Sequence, residues 1–156
     1  MLEVIDGLDP DDRRLAQQGL HVGQVIDERK AEFGRGDFLV RNVLGADRSN
    51  GAVDVGGDVD VGSTLQLQVR DALSADEDLR ALLAEAGPAP AGALVFTCNG
   101  RGEQLFGTPH HDAQAVDDAF GGAPQAGMFC AGELGPVGGR SFLHGFSASV
   151  LVFTDP

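Results

Sequence analysis

One stretch restricts this chain's fold more than any other. Residues 93 to 98, Ala-Leu-Val-Phe-Thr-Cys, form a short apolar run of β-favouring types, introduced by Gly92 and broken off by Asn99-Gly100-Arg101-Gly102. Such a run reads as a buried strand, and a buried strand needs neighbours and cover. The glycines on either side of the arginine let the backbone turn sharply. They can present N–H groups and a guanidinium at the end of a rigid element. A thiol, an amide and a cation are therefore gathered within the segment from Cys98 to Arg101.

The rest of the chain supplies the neighbours. Asp9-Pro10 is a helix start, with Asp9 as cap and Pro10 in the first turn, and Gly19 stops that helix. Residues 1–20 form an acidic helical lead-in that is poorly amphipathic by itself. Residues 21–27, 38–44 and 65–69 read as strands, the last by the alternation of Leu65, Leu67 and Val69 with Gln66 and Gln68. Residues 45–51 are rich in turn formers and connect the second of these to an antiparallel neighbour. Ser74-Ala75-Asp76-Glu77 reads as a capping box ahead of Leu79, Leu82, Leu83 and Ala86, with Gly87 and Pro88 closing the helix. Asp112 is the expected cap of a second helix carrying Val116, Ala119 and Phe120. Strands at 125–131 and 148–153 follow, separated by a glycine-rich loop at 132–139. The expected class is α+β: a single domain with one mixed, mostly antiparallel sheet packed by two or three helices.

Charge excludes some functions. The net charge of −13, with Lys30 the sole lysine, argues against nucleic acid and anionic membranes, which both need clustered cations. No apolar run approaches the roughly 18 residues of a membrane span. Cys98 and Cys130 are too few for a disulfide framework. A cytoplasmic chain with reduced thiols is the expectation. Asp54, Asp58 and Asp60 fail the calcium-loop spacing, and Gly102 to Thr108 has P-loop glycines but no lysine. His110-His111-Asp112 lacks metal-ligand spacing. No metal or cofactor is expected.

Three loops follow strand ends: 98–107, 130–139 and 140–146. Their candidate ligand-binding residues are Cys98, Asn99, Gly100, Arg101 and Gly102; Gly132 and Glu133; and Arg140 and His144. Convergence of the loops would make a pocket in which Arg101 meets a carboxylate and Glu133 an ammonium, as an amino acid requires. An ion pair of Arg101 with Glu133, locking two loops, is the structural alternative. A nucleophilic Cys98 activated by Arg101 or His144 is a third possibility.

The motifs Leu94 to Gly102, Gly127-Met-Phe-Cys-Ala-Gly-Glu-Leu-Gly-Pro136 and Phe142-Leu-His-Gly-Phe-Ser147, in that order, resemble the C-terminal domain of FIST proteins, named for F-box and intracellular signal transduction. Residues 37–45 and 62–71 are similar to that domain's opening strands, so the domain is placed at 21–156. The resemblance implies a signal-transduction sensory module, not an enzyme, binding a small ligand with an amino acid as candidate. It assigns no roles to Arg101, Glu133 or Cys98. It also implies that residues 1–20 are a remnant of the connection to a FIST N-terminal domain. Expected partners are that domain or a signalling protein, with self-association through an exposed apolar face. The alternative function is a protein-interaction or scaffold module without a small ligand. No nucleic acid or membrane partner is expected.

Overall fold

The computed structural model describes residues 2–87, 90–137 and 139–154. The expected parts of Pro88 in closing a helix and of Gly138 in the glycine-rich loop lie outside these residues. Two compact units form, one of residues 1–70 with 137–140, the other of residues 71–136 with 141–156.

The first unit opens with two helices, α1 (Leu2–Asp6) and α2 (Pro10–Gln18). Asp9 caps α2 as expected: its carboxylate accepts from the N–H groups of Asp11 and Asp12, each at 2.9 Å. Four strands follow: β1 (Leu20–Val25), β2 (Phe38–Ala46), β3 (Val53–Val55) and β4 (Leu65–Val69). They pair in the order β3-β2-β1-β4, antiparallel throughout. Val22 and Val25 of β1 and Leu39 of β2 are the buried apolar side chains. The acidic stretch after residue 51 contributes only the three residues of β3. Charged side chains tie the loops. Glu28 accepts from the N–H and Oγ1 of Thr64, both at 2.7 Å, and these bonds lower its carboxyl pKa. Hydrogen bonds from Arg29 push Asp27 down to about 2.

His21 on β1 is buried, with the Arg70 guanidinium 2.6 Å from Nε2. Arginine only donates, so Nε2 accepts and the ring is neutral. Burial first, and the charge of Arg70 second, lower its pKa from the usual 6.5. The unfolded chain therefore takes up this proton before the folded one does. The stability that neutral His21 contributes is complete above the ordinary imidazole range and is lost as pH falls through 6.5 towards the lower folded value. Denaturant midpoints should decline over that window, and His21→Gln should flatten the decline. An equal slope in the variant would remove His21 as its source.

The second unit holds α3 (Ala72–Glu85), β5 (Gly92–Cys98), a 3-10 turn at Asn99–Arg101, α4 (Glu103–Phe106), α5 (His111–Phe120), β6 (Gln125–Cys130) and β9 (Ala148–Phe153). The start of α3 differs from the capping-box expectation. Asp71 is the cap, its carboxylate accepting from the Ser74 N–H at 2.8 Å, so the helix begins three residues before Ala75. β5 is the middle of a three-stranded sheet, parallel to β6 and antiparallel to β9. One face packs against both long helices. Leu79 and Leu83 of α3, Ala93 and Val95 of β5, and Ala115, Val116 and Phe120 of α5 form the core. Full burial of each larger side chain contributes about 1.5–3 kcal/mol. On this sheet Met128, Leu151 and Phe153 are exposed at 63%, 54% and 48%.

Between β6 and β9 the expected glycine-rich loop is instead a two-stranded ribbon, β7 (Glu133–Val137) with β8 (Arg140–His144). The α+β class and the mostly antiparallel pairing are as expected, with helices packed on the strands. The strands are distributed over three sheets. Among the described residues no helix is long and apolar enough to cross a membrane.

Candidate functional site

The site grows from the turn that ends β5. Asn99-Gly100-Arg101 coils into a single 3-10 turn, which points Arg101 back into the unit towards the first turn of α5. Only 8% of the residue is exposed. Asp112, exposed by 5%, receives the guanidinium side-on: Nε donates to Oδ2 at 2.8 Å and Nη2 to Oδ1 at 3.0 Å. Nη2 also reaches the Ala75 carbonyl at 3.3 Å. Two parallel charge-assisted bonds fix the plane of the fork. The guanidinium lies 5.2 Å from the centre of the Phe106 ring. Nη1 makes no hydrogen bond among the described residues.

His111 extends this arrangement. Its ring stacks on Phe106, with centroids 3.5 Å apart and planes 4° from parallel. Nδ1 lies 3.0 Å from Asp112 Oδ1, and Nε2 lies 3.0 Å from Asp76 Oδ1. Asp76 in turn holds Arg80 one helical turn further along α3, at 2.9 Å. A chain of alternating charge and imidazole thus stitches α3, α5 and the 3-10 turn together. Asp112 is spent here and does not cap α5. The cap position belongs to His110, in the left-handed region at φ 60°, and its side chain makes no capping bond.

Beside this network is a cavity of about 260 Å³. Arg101, His110, His111 and Gln125 bring polar groups to it, and Val95, Met128 and Phe129 bring apolar surface. Asp112 and Ala113 also line it, so the uncapped first turn of α5 faces the space with the positive end of its dipole. β6 forms another wall and is an edge strand: among the described residues it pairs only with β5, and its outer backbone groups have no strand partner there. The volume is just below the usual range for larger organic ligands and suits a molecule of few heavy atoms.

The expected site residues divide between this cavity and a second cluster. Arg101 and Gly102 line the cavity. Cys98, Asn99, Gly100, Gly132, Glu133, Arg140 and His144 are not among its lining residues. The alternative in which Arg101 pairs with Glu133 is not what forms: Arg101 pairs with Asp112. Glu133 is buried and accepts a short hydrogen bond from the Ser147 hydroxyl, and its Oε1 has no partner among the described residues. The Ser147 carbonyl accepts from the Cys98 N–H at 3.0 Å. His144 Nε2 is 3.0 Å from the Gly135 carbonyl oxygen, and a Cβ on Gly132 would meet the His144 carbonyl at 3.0 Å. Gly100 lies under the Phe146 ring, where a Cβ would be 2.0 Å from ring carbons. Phe146 itself adopts φ 65°, a conformation side chains rarely take. The three loops do approach one another, then, but as packed structure. No base bonds to the Cys98 thiol among the described residues. Arg140 sits at the exposed start of β8.

Phe106, Asp76, Gln125 and Thr97 were not singled out in the sequence. Asp76 entered the sequence reading only as part of the capping-box pattern. Nothing in the spacing of Phe106 or Gln125 marks them.

Comparison with known proteins agrees with the motifs. The FIST C domain profile matches residues 1–136. An uncharacterized protein of Mycobacterium bovis is 50% identical over 157 residues, covering 98% of this chain and 41% of its own length. An uncharacterized protein of Mycobacterium tuberculosis is 51% identical over 158 residues, with the same 98% and 41%. This chain therefore spans about two fifths of the length of those relatives. No solved structure matches it. The chain belongs to the FIST C domain family.

Proposed function

We propose that the chain is a ligand-binding sensory module, not a catalyst, and that the cavity beside Arg101 takes a small carboxylate-bearing molecule with an amino acid as the candidate. The observation that carries this reading is the state of Arg101. Asp112 fixes its plane and uses Nε and Nη2, leaving Nη1 without a hydrogen-bond partner among the described residues, on a residue that lines the cavity. A donor already oriented loses little freedom when it meets a carboxylate. The uncapped turn of α5 adds N–H groups of the same polarity. Backbone carbonyls of the β6 edge offer acceptors for an ammonium. In this reading the loaded module signals in the cytoplasm, to a FIST N-terminal domain or a signalling protein.

A panel of amino acids screened by thermal shift tests it. The matching ligand should raise the melting temperature in a concentration-dependent way, equivalent to about 2.7 kcal/mol at a hundredfold excess over Kd. The Arg101→Met/Asp112→Leu pair removes the anchor while filling the space, and should abolish the shift. No shift with any amino acid, together with no heat on titration, would overturn the reading.

A second reading, protein interaction without a small ligand, rests on the exposed Met128, Leu151 and Phe153. It predicts that Met128→Lys with Leu151→Lys disrupts association, including any self-association, and leaves ligand-induced shifts absent throughout.

A further inference from the structure

We propose that Cys98 and Cys130 are a redox pair that closes into a reversible disulfide across β5 and β6, with a hydroperoxide as the oxidant. The two are the only cysteines of the chain, and the parallel register sets them directly opposite each other at the ends of the adjoining strands. Opposite residues on neighbouring strands project to the same face. Strand spacing is about 4.8 Å, and disulfides bridge Cα atoms about 4.4–6.8 Å apart. Both thiols are free.

Their exposures differ in a useful way. Cys98 is 6% exposed, whereas Cys130 is half-buried and open to solvent. Cys130 is therefore the sulfur a peroxide can reach, and Cys98 the sheltered sulfur next to it. Among the described residues the Cys130 thiol makes only a weak hydrogen bond to the Met128 carbonyl, at 3.9 Å, which rotation about χ1 gives up cheaply. Each cysteine is the last residue of its strand; Cys98 is followed by the 3-10 turn, and Cys130 by the short connection to β7, where adjustment need not disturb the sheet.

The steps balance. The Cys130 thiolate attacks a peroxide oxygen and the O–O bond breaks. Cys130 becomes a sulfenic acid, and the leaving alkoxide or hydroxide takes up a proton. The Cys98 sulfur attacks the Cys130 sulfur, the S–O bond breaks, and water departs with the Cys98 proton. Two electrons have passed from the thiol pair to the peroxide. A dithiol restores both thiols by exchange at the exposed Cys130 sulfur. The staple lies one residue beyond Thr97 and Phe129, which both line the cavity, so closing it pins that wall.

The test uses the whole chain and one equivalent of hydrogen peroxide. Both thiols should disappear together, with the monomer losing the mass of two hydrogens and a peptide linking residues 98 and 130. Dithiothreitol should restore both thiols. In Cys98→Ser, Cys130 should instead be trapped by dimedone as the sulfenic acid; in Cys130→Ser, Cys98 should stay reduced. Cross-linked dimers, sulfinic acid without a cross-link, or two intact thiols in excess peroxide would each overturn the proposal. The measurement on the unmodified chain holds whether or not the serine variants fold.

Discussion

Asp112→Ala should destabilise the unit of residues 71–136 and 141–156 by about 3–5 kcal/mol, read as a large fall in its denaturant midpoint. The deleted carboxylate holds Nε and Nη2 of Arg101 and faces Nδ1 of His111. Its loss leaves a guanidinium with 8% exposure facing no anion. Water cannot substitute fully at that depth, so the desolvation cost of Arg101 is no longer offset. The same helix carries Ala115 and Val116, exposed by 0% and 1%, and any shift of α5 to relieve the charge disturbs the centre of the core. Removing both charges separates the charge effect from a packing effect. Arg101→Met with Asp112→Leu should recover most of the stability, since replacing a buried pair by apolar residues is often neutral or favourable. A single-variant loss below about 1 kcal/mol would mean that solvent screens the pair, as it does at a surface.

Gly127→Ala should cost about 3 kcal/mol. Gly127 lies on β6 opposite Val95 of β5, and a Cβ there would be 1.9 Å from the Val95 carbonyl oxygen and 2.8 Å from its carbon. Real Cβ atoms do not approach so closely, and the obstacle is the backbone of the middle strand. The strands must part or the register must slip, and either change breaks the parallel ladder. Gly100→Ala is milder in kind, because its obstacle is the Phe146 ring and a ring can swing away. Gly145, with nothing within 4 Å of its would-be Cβ, is the control: Gly145→Ala should stay within about 0.5 kcal/mol. Urea unfolding of the three variants gives the ranking. Equal losses at Gly127 and Gly145 would show that the close approach is absent in solution.

What was legible in the sequence was local. Asp9-Pro10 marks a helix start because both preferences act within one turn, and α2 begins there. Residues 148–153 read as a strand by their apolar run and 65–69 by the alternation of Leu65, Leu67 and Val69 with glutamines, and both are strands, although Leu65 itself is exposed. The helix of Leu79 and Leu83 was legible by its period, but its cap was placed at Ser74 when Asp71 performs that task through the Ser74 N–H. The ribbon of β7 and β8 was hidden because Gly135, Pro136 and Gly139 carry loop signals. A two-stranded ribbon tolerates them, since each strand is an edge and a proline can face outwards. At the site, Arg101 was legible as a functional group and its partner was not. Asp112 comes within reach because the chain turns after β5 and folds back through α4, and no periodicity records that return. Glu133 was the expected anion, being in a matching motif, but its carboxylate lies with Ser147 in the other cluster.

The placement of β5 has a kinetic consequence. Ala93 pairs with Gln125 on one side and Val152 on the other, partners far along the chain. A parallel neighbour cannot be delivered by a tight hairpin; the intervening α4 and α5 must be traversed before the first β5–β6 bond can form. The closure entropy of both loops is therefore spent before the most apolar strand gains any cover. During that interval β5 is an unpaired β-former with two open edges, the kind of segment that recruits other chains. The helical residues that later bury it, Leu79 and Leu83 on α3 and Val116 and Phe120 on α5, flank it in the chain on either side. Early docking of those helices shortens the exposure, so the order of assembly, as much as the final packing, protects this strand.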